Sequence, residues 1–323
     1  MNPNDIKKPV AAELKEFEIF FKDSLKSRVP LLQKITQYIV KRKGKQMRPL
    51  FVLLTAKMLG EITQKSYRAA ALIELLHTAT LVHDDVVDDA YQRRGFFSIN
   101  ALWKNKIAVL VGDFLLSRTL LLSVENGEIE QLRVVSTAVK EMSEGELLQI
   151  EKTRGLNFSE EIYFEIIRQK TASLIHACCK SGAISVGASA DVVHSLGEFG
   201  THVGIAFQIK DDLFDFGSDT KIGKPTGIDI KEKKLTLPLI YALNNAEKGV
   251  RKEMARKIKK HHTKPKKVKE VIDFVWNSGG IEYAKTKMME HRDQALAILK
   301  NFPDNEAKVA LESLVNYSIN REK

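Results

Sequence analysis

Between Pro49 and Pro225 the chain contains no proline, and through most of that interval apolar residues recur three and four positions apart. Proline removes a backbone donor and clashes with the preceding helical turn, while this spacing paints one face of a helix, so the interval reads as helix after helix. The expected helices are Val10 to Asp23, Pro30 to Arg42, Met47 to Leu59, Gln64 to Tyr91, Lys104 to Val124, Glu128 to Thr153, Glu160 to Gly187 and Asp191 to Phe216. A polar loop, Gly217 to Ile230, precedes further helices at Lys233 to Asn245, Val250 to Lys260, Lys266 to Asn277, Ile281 to Asn301 and Asp304 to Ile319. Strand-like alternation is nowhere sustained, and no repeat occurs at solenoid periods.

A length of 323 residues suggests roughly two domains, but no Pro-, Ser- or Gly-rich linker divides the chain, so a single all-α domain over 1–323 is expected. Hydrophobic residues make up 44%, enough to build a core. The mixed polar stretch Met1 to Lys15 is neither a secretory signal nor a membrane span, and the adjacent Cys178 and Cys179 suit buried thiols, so a cytoplasmic location is expected. The net charge of +10 points to anionic partners. Much of it lies in Arg251 to Lys269, a run of the kind that is usually a solvated surface. Transient contact with an anionic membrane surface is the sharper reading. Nucleic acid is not expected, because the run lacks interleaved aromatics.

Two aspartate clusters end apolar stretches. In His83-Asp84-Asp85-Val86-Val87-Asp88-Asp89, helical geometry stacks Asp84 under Asp88 and Asp85 under Asp89, so four carboxylates would share one face. Such repulsion calls for a cation or a solvated edge. Asp211-Asp212-Leu213-Phe214-Asp215 repeats the device, and two clusters facing each other would cage hard divalent ions.

Basic and polar groups flank the acids. Lys43-Gly44-Lys45-Gln46-Met47-Arg48-Pro49 places cations at a helix start, where free N–H groups also favour an anion. Arg93-Arg94-Gly95 could clamp phosphate oxygens bidentately. His77 lies about 20° from Asp84 around the helix and roughly 10 Å along it. Lys170-Thr171 sits in an apolar stretch where an ammonium needs a partner or ligand, and Gln208 shares a face with Asp211. Gly223-Lys224-Pro225-Thr226-Gly227-Ile228-Asp229 with Lys233-Lys234 forms a lysine-bearing loop, which fits a lid over a phosphate ligand better than a Walker loop.

In this combination the chain resembles the trans-isoprenyl diphosphate synthase family, with Asp84-Asp85-x-x-Asp88 and Asp211-Asp212-x-x-Asp215 as the two aspartate-rich motifs. The box Gly44-Lys45-x-x-Arg48-Pro49, His77, Arg93-Arg94-Gly95, Lys170-Thr171, Phe207-Gln208 and Lys224 match in order and spacing. Lys43, where the family often has Gly, and the doubled Asp88-Asp89 are departures that remove no expected ligand. The phrases Leu81 to Asp88 and Val111-Gly112-Asp113 look most like bacterial long-chain polyprenyl synthases.

The resemblance implies a helical bundle around a central cavity, usually a homodimer, and a prenyltransferase that condenses isopentenyl diphosphate with an allylic diphosphate head to tail. Several Mg²⁺ ions on Asp84, Asp85, Asp88, Asp211, Asp212 and Asp215 would assist ionisation. Lys45, Arg48, His77 and Arg94 would hold isopentenyl diphosphate, and Arg93, Lys170, Lys224 and Lys234 the allylic diphosphate. Thr171 and Gln208 would present oxygens to the allylic cation. The small Ala79 and Thr80 just before the first motif imply a long all-trans product, such as a quinone side-chain precursor. A farnesyl or geranylgeranyl diphosphate synthase is the alternative, as is a non-catalytic partner subunit. A terpene cyclase would need neither the second Asp motif nor Lys45 and Arg48, and a His-Asp phosphohydrolase would not need the second cluster.

Overall fold

The computed structural model describes residues 3–41, 44, 46–93, 96–155, 159–217 and 226–321. It is all-α. In chain order the helices begin with α1 Pro3–Lys7, α2 Ala11–Ser24, α3 Pro30–Lys41, α4 Met47–Leu59, α5 Gln64–Val87 and α6 Ile99–Glu125. Then come α7 Ile129–Gly155, α8 Glu160–Ile167, α9 Ser173–Ser185, α10 Ala190–Phe214 and α11 Ile228–Lys231. The last are α12 Leu237–Asn244, α13 Lys248–His261, α14 Pro265–Asn277, α15 Gly280–Leu299 and α16 Glu306–Asn320. The chain divides into two compact units, one of Met1–Val139, Ala177–Gly197 and Asn301–Ser313, the other of Lys140–His176, Glu198–Lys300 and Leu314–Lys323.

In the first unit α4 is apolar nearly all round, and Leu50 to Ala56 are all buried, as a core helix requires. Leu75, Ala79 and Val82 of α5 pack against Ala108, Val111 and Leu115 of α6, with Leu25 and Ile35 closing the cluster. In the second unit Tyr163 and Ile167 of α8, Ile205 and Ile209 of α10, and Ile240 of α12 share one core with Met288 and Ile319. Another core joins Phe216 and Ile230 to Ile258 of α13 and Val268, Val271 and Val275 of α14.

Several boundaries differ from the periodicity. Helix α5 stops at Val87, four residues before Tyr91, because Asp88 caps it and Asp89 turns left-handed at φ 48°. A two-residue antiparallel hairpin follows, pairing Gln92 with Phe97 and Arg93 with Phe96. Helix α6 starts at Ile99, capped by Ser98, rather than at Lys104, which instead marks a kink at φ 73°. The span expected as one helix from Glu160 to Gly187 is interrupted by a π-helical turn, Arg168–Ala172. The expected loop Gly217 to Ile230 holds the start of α11, and the helix expected from Lys233 begins at Leu237, behind Pro238 in its first turn.

Within the basic run, Lys257 is not a surface cation: it is buried and pairs with Glu253 at 2.7 Å and Glu270 at 2.9 Å, tying α13 to α14. Arg251, Lys252, Arg256, Lys259, Lys260, Lys264, Lys266 and Lys269 are exposed. Cys178 and Cys179 are free and buried, and burial pushes the Cys179 thiol up to about 12. Among the described residues one helix, α6, is long and apolar enough to cross a membrane, and Val109, Leu110, Leu120, Leu121 and Val124 on it are exposed.

Candidate active site

The first aspartate cluster lies in the first unit at the end of α5. Asp88 closes the last turn, its N–H donating to the Asp84 carbonyl at 2.8 Å, so these two stack as expected. The second stacked pair does not form. Asp85 is buried, with its carbonyl accepting from Ala90 N at 2.9 Å and Asn100 Nδ2 at 3.0 Å, while Asp89 leaves the helix in its left-handed turn. Asp84 and Asp88 are exposed. The same unit places Arg48 in the first turn of α4 and buries His77 on α5. Lys45 and Arg94 lie outside the described residues, and of Arg93 only the backbone, paired with Phe96, is described.

The second cluster lies in the second unit and is worked into a polar network. Thr171 Oγ1 donates to Gln208 Oε1 at 2.8 Å, Gln208 Nε2 donates to Asp212 Oδ1 at 2.9 Å, and Tyr163 Oη donates to Asp212 Oδ2 at 2.7 Å. Thr171 lies in the π-helical turn. Gly204 of α10 lies against Ala172 and Gly145 of α7 against the Lys170 backbone, so closely that a Cβ at either would collide. The same approach seats Lys170 on α7, ion-paired with Glu146 and donating to Gln149 Oε1 at 3.0 Å.

Asp215 is turned to a different use. Its Oδ1 accepts from Ile228 N at 2.7 Å and its Oδ2 from Asp229 N at 3.1 Å, so it anchors the start of α11. This brings Asp229 beside the cluster. Burial raises Asp229 to about 6, helped by the Asp215 charge and opposed by Lys234. Lys234 pairs with Glu232 at 2.5 Å and Asp229 at 4.0 Å. Burial pulls its ammonium down, but these carboxylates more than reverse the effect. Burial also raises Asp215, against its backbone donors, and raises Asp212 to about 7 despite Gln208 and Tyr163. Carboxyls that are costly to ionise form a site that favours a cation.

Asp211 is held by Arg321, just past the end of α16. Lys170, Thr171, Gln208, Asp211, Asp212, Asp215 and Lys234 therefore line one cavity of about 490 Å³ together with Arg321 and Asp229. Lys224 lies outside the described residues. Sequence reading missed Tyr163, whose position reads as the apolar face of α8, and Glu146, Asp229 and Arg321, which look like ordinary surface charges. A carboxylate one loop beyond the second motif was the signal available for Asp229.

The donor set suits a hard divalent cation: it is all carboxylate oxygen, with no imidazole or thiolate among the described groups of the second cluster. Asp212 and Asp215 each engage both oxygens with protein donors, and Asp211 is paired with the Arg321 guanidinium.

The chain matches the polyprenyl synthetase family model over residues 29–275. It is 38% identical over 319 residues to the all-trans-nonaprenyl-diphosphate synthase (geranyl-diphosphate specific) of Rhodobacter capsulatus, covering 98% of this chain and 97% of that protein. A polyprenyl synthase from Caulobacter crescentus, solved with calcium and isoprenyl diphosphate, has a TM-score of 0.90 at 31% identity, covering 100% of this chain and 98% of the other. A geranylgeranyl pyrophosphate synthase from Bacteroides thetaiotaomicron has a TM-score of 0.83 at 39% identity, covering 98% of both chains.

Proposed function

Because the chain belongs to the polyprenyl synthetase family, we propose that it extends an allylic diphosphate with isopentenyl diphosphate, head to tail and all-trans, to a long polyprenyl diphosphate for quinone side chains. The observation that carries the reading is the single cavity on which acids, lysines and the Thr171–Gln208–Asp212 relay converge. The two units are read as parts of one catalytic domain, which the coverage of whole relatives supports.

Mg²⁺ would be held by Asp84, Asp85 and Asp88 and by Asp211, Asp212 and Asp215, and when bound it supplies Lewis-acid stabilisation of the departing diphosphate. Lys170, Lys234, Arg93 and Lys224 hold the allylic diphosphate in this reading, and Lys45, Arg48, His77 and Arg94 hold isopentenyl diphosphate. Lys170 and Lys234 would exchange their carboxylate partners for phosphate oxygens. The relay has a direction. The Thr171 hydroxyl donates its hydrogen bond to Gln208 Oε1, so the lone pairs of Thr171 Oγ1 remain for the allylic cation, and the amide dipole of Gln208 is fixed by Asp212. Preorganised dipoles stabilise the cation without offering it a strong nucleophile.

The partner assignments rest on surface. The exposed stripe of Leu110, Leu121 and Val124 on α6 is too apolar for water, and a second copy of the chain is the occupant we assign, giving a homodimer. The exposed cations of α13 and the start of α14 fit transient contact with anionic lipid, where a long hydrocarbon product would be delivered, with the enzyme itself cytoplasmic.

Incubation of the enzyme with isopentenyl diphosphate, farnesyl diphosphate and Mg²⁺, with chromatography of the extracted products, tests the function. Chains longer than four isoprene units are expected. A product that stops at geranylgeranyl diphosphate would favour the second reading, which the 39% identity to the Bacteroides enzyme supports, and no elongation at all would sink both.

A further inference from the structure

Arg321 belongs to neither aspartate motif nor to any basic box, yet it sits over the second cluster. Its Nη2 pairs with Asp211, its guanidinium lies 4.0 Å from the centre of the Phe207 ring and 5.5 Å from that of Phe214, and its Nε donates to the Ser318 carbonyl at 3.1 Å. The side chain is 16% exposed and lines the cavity. Two aromatic faces and a backbone carbonyl thus surround the planar cation beside Asp211.

The neighbouring acids are engaged differently. Asp212 receives neutral donors from Tyr163 and Gln208, and Asp215 receives backbone N–H groups, none of which is displaced by a cation arriving nearby. Asp211 is instead covered by a positive charge on a flexible stem. A guanidinium and a divalent ion on the same carboxylate repel each other across a short gap, so each weakens the hold of the other. A diphosphate changes the balance, because its oxygens offer the guanidinium a bidentate acceptor of higher charge than one carboxylate.

We propose that Arg321 is the internal counter-ion of Asp211 and couples the two ligands of the site: it withholds Asp211 from the metal until diphosphate draws the guanidinium away. The inference rests on the reading of Asp211 as a metal ligand. By linkage the coupling is reciprocal, so metal on Asp211 also strengthens diphosphate binding by releasing Arg321 to it. The enzyme would then assemble its second metal site only around substrate.

The test is binding of Mn²⁺ to the full-length, metal-free enzyme at pH 8, followed by the paramagnetic resonance signal of free Mn²⁺, for wild type, Arg321→Gln and Arg321→Lys, each also with Asp211→Asn. Arg321→Gln should bind Mn²⁺ about tenfold more tightly than wild type, the factor that corresponds to 1.4 kcal/mol. Arg321→Lys, which keeps the charge, should stay near wild type, and Asp211→Asn should abolish the gain. Calorimetric titration with inorganic pyrophosphate at saturating Mn²⁺ should show weaker binding to Arg321→Gln. If Arg321→Gln leaves Mn²⁺ affinity unchanged or lowers it while Asp211→Asn alone weakens Mn²⁺ binding, the counter-ion role is wrong and the metal assignment stands. If Asp211→Asn has no effect on Mn²⁺ in any background, the metal assignment itself falls, and this inference with it.

Discussion

Tyr163 donates its hydroxyl to Oδ2 of Asp212 at 2.7 Å, and both side chains are buried. Burial and the Asp212 charge hold the phenol well above its usual range, so the proton stays on Tyr163 and the hydroxyl remains a donor. It therefore works against the burial that pushes Asp212 up to about 7. Removing it should tip Asp212 further toward its neutral form. A hydrogen bond to a charged group contributes about 1.5–3 kcal/mol, so Tyr163→Phe should raise the acid limb of the kcat/KM profile by about one pH unit or more. At pH 6.5 its turnover should drop about tenfold, with recovery above pH 8. A profile that superimposes on that of the wild type would show that Asp212 ionisation does not limit the reaction.

The raised acids also set how stability depends on pH. Asp212 at about 7 and Asp229 at about 6 lie above the unfolded value of about 3.9, so between these pH values the folded chain keeps protons that the unfolded chain has lost. Their contribution to stability is complete below about pH 4 and is lost as pH rises through the folded values. In metal-free buffer the Tm of Asp212→Asn should fall less than that of wild type between pH 5 and pH 8. Saturating Mg²⁺, which favours the ionised form, should reduce the wild-type decline. Parallel Tm curves for the two proteins would contradict the buried-acid account.

Asp84→Ala and Asp211→Ala should each cut turnover by several orders of magnitude and leave the helical circular dichroism spectrum intact. Asp84 is exposed and Asp211 is 39% exposed, so neither removes core packing. Near-normal turnover of Asp84→Ala at limiting Mg²⁺ would end the assignment of a metal-assisted ionisation.

For the basic groups the expected change is in binding. Lys45→Ala and Arg94→Ala should raise the KM for isopentenyl diphosphate more than that for the allylic substrate, each by about tenfold or more for a lost charge-assisted contact. Lys170→Ala and Lys234→Ala should show the opposite bias. Initial-rate measurements with each substrate varied separately distinguish the two patterns, and equal damage to both would refute the division.

Much of this was legible in the sequence, because helical periodicity over long proline-free stretches survives any tertiary context. The fold class and most helix bodies follow from it. Ends were harder: Val87 stops α5 because Asp89 turns left-handed, and such a turn leaves no trace in apolar spacing. The π-helical turn at Arg168–Ala172 is equally silent, and Gly204 and Gly145, which pack closely against it, come from segments distant in the chain. The aspartates could be located but their uses could not. That Asp215 caps α11, Asp212 is paired with Tyr163 and Asp211 with Arg321 depends on residues 13 to 110 positions away.

The last prediction concerns product length, set by where large side chains block a chain growing away from Asp84. Sequence alone gave Ala79 and Thr80 equal standing. The structure separates them: Ala79 is fully buried in the cluster with Leu75, Val111 and Leu115, whereas Thr80 is half-buried, its hydroxyl turned back to the His77 carbonyl at 2.9 Å. A phenyl ring at Ala79 must displace α6 residues, and overpacking a core costs about 1–3 kcal/mol, so Ala79→Phe should shorten the product and also lower Tm by several degrees. At Thr80 the ring can be accommodated at the partly open edge of α5. Thr80→Phe should shorten the product with little loss of stability, as read by chromatography beside a thermal melt. The block that limits wild type then lies deeper, at Ile73, Leu76 or Phe114, and Phe114→Ala should lengthen the product. If neither Phe substitution alters the product distribution, the path of the growing chain does not follow α5, and length is governed elsewhere.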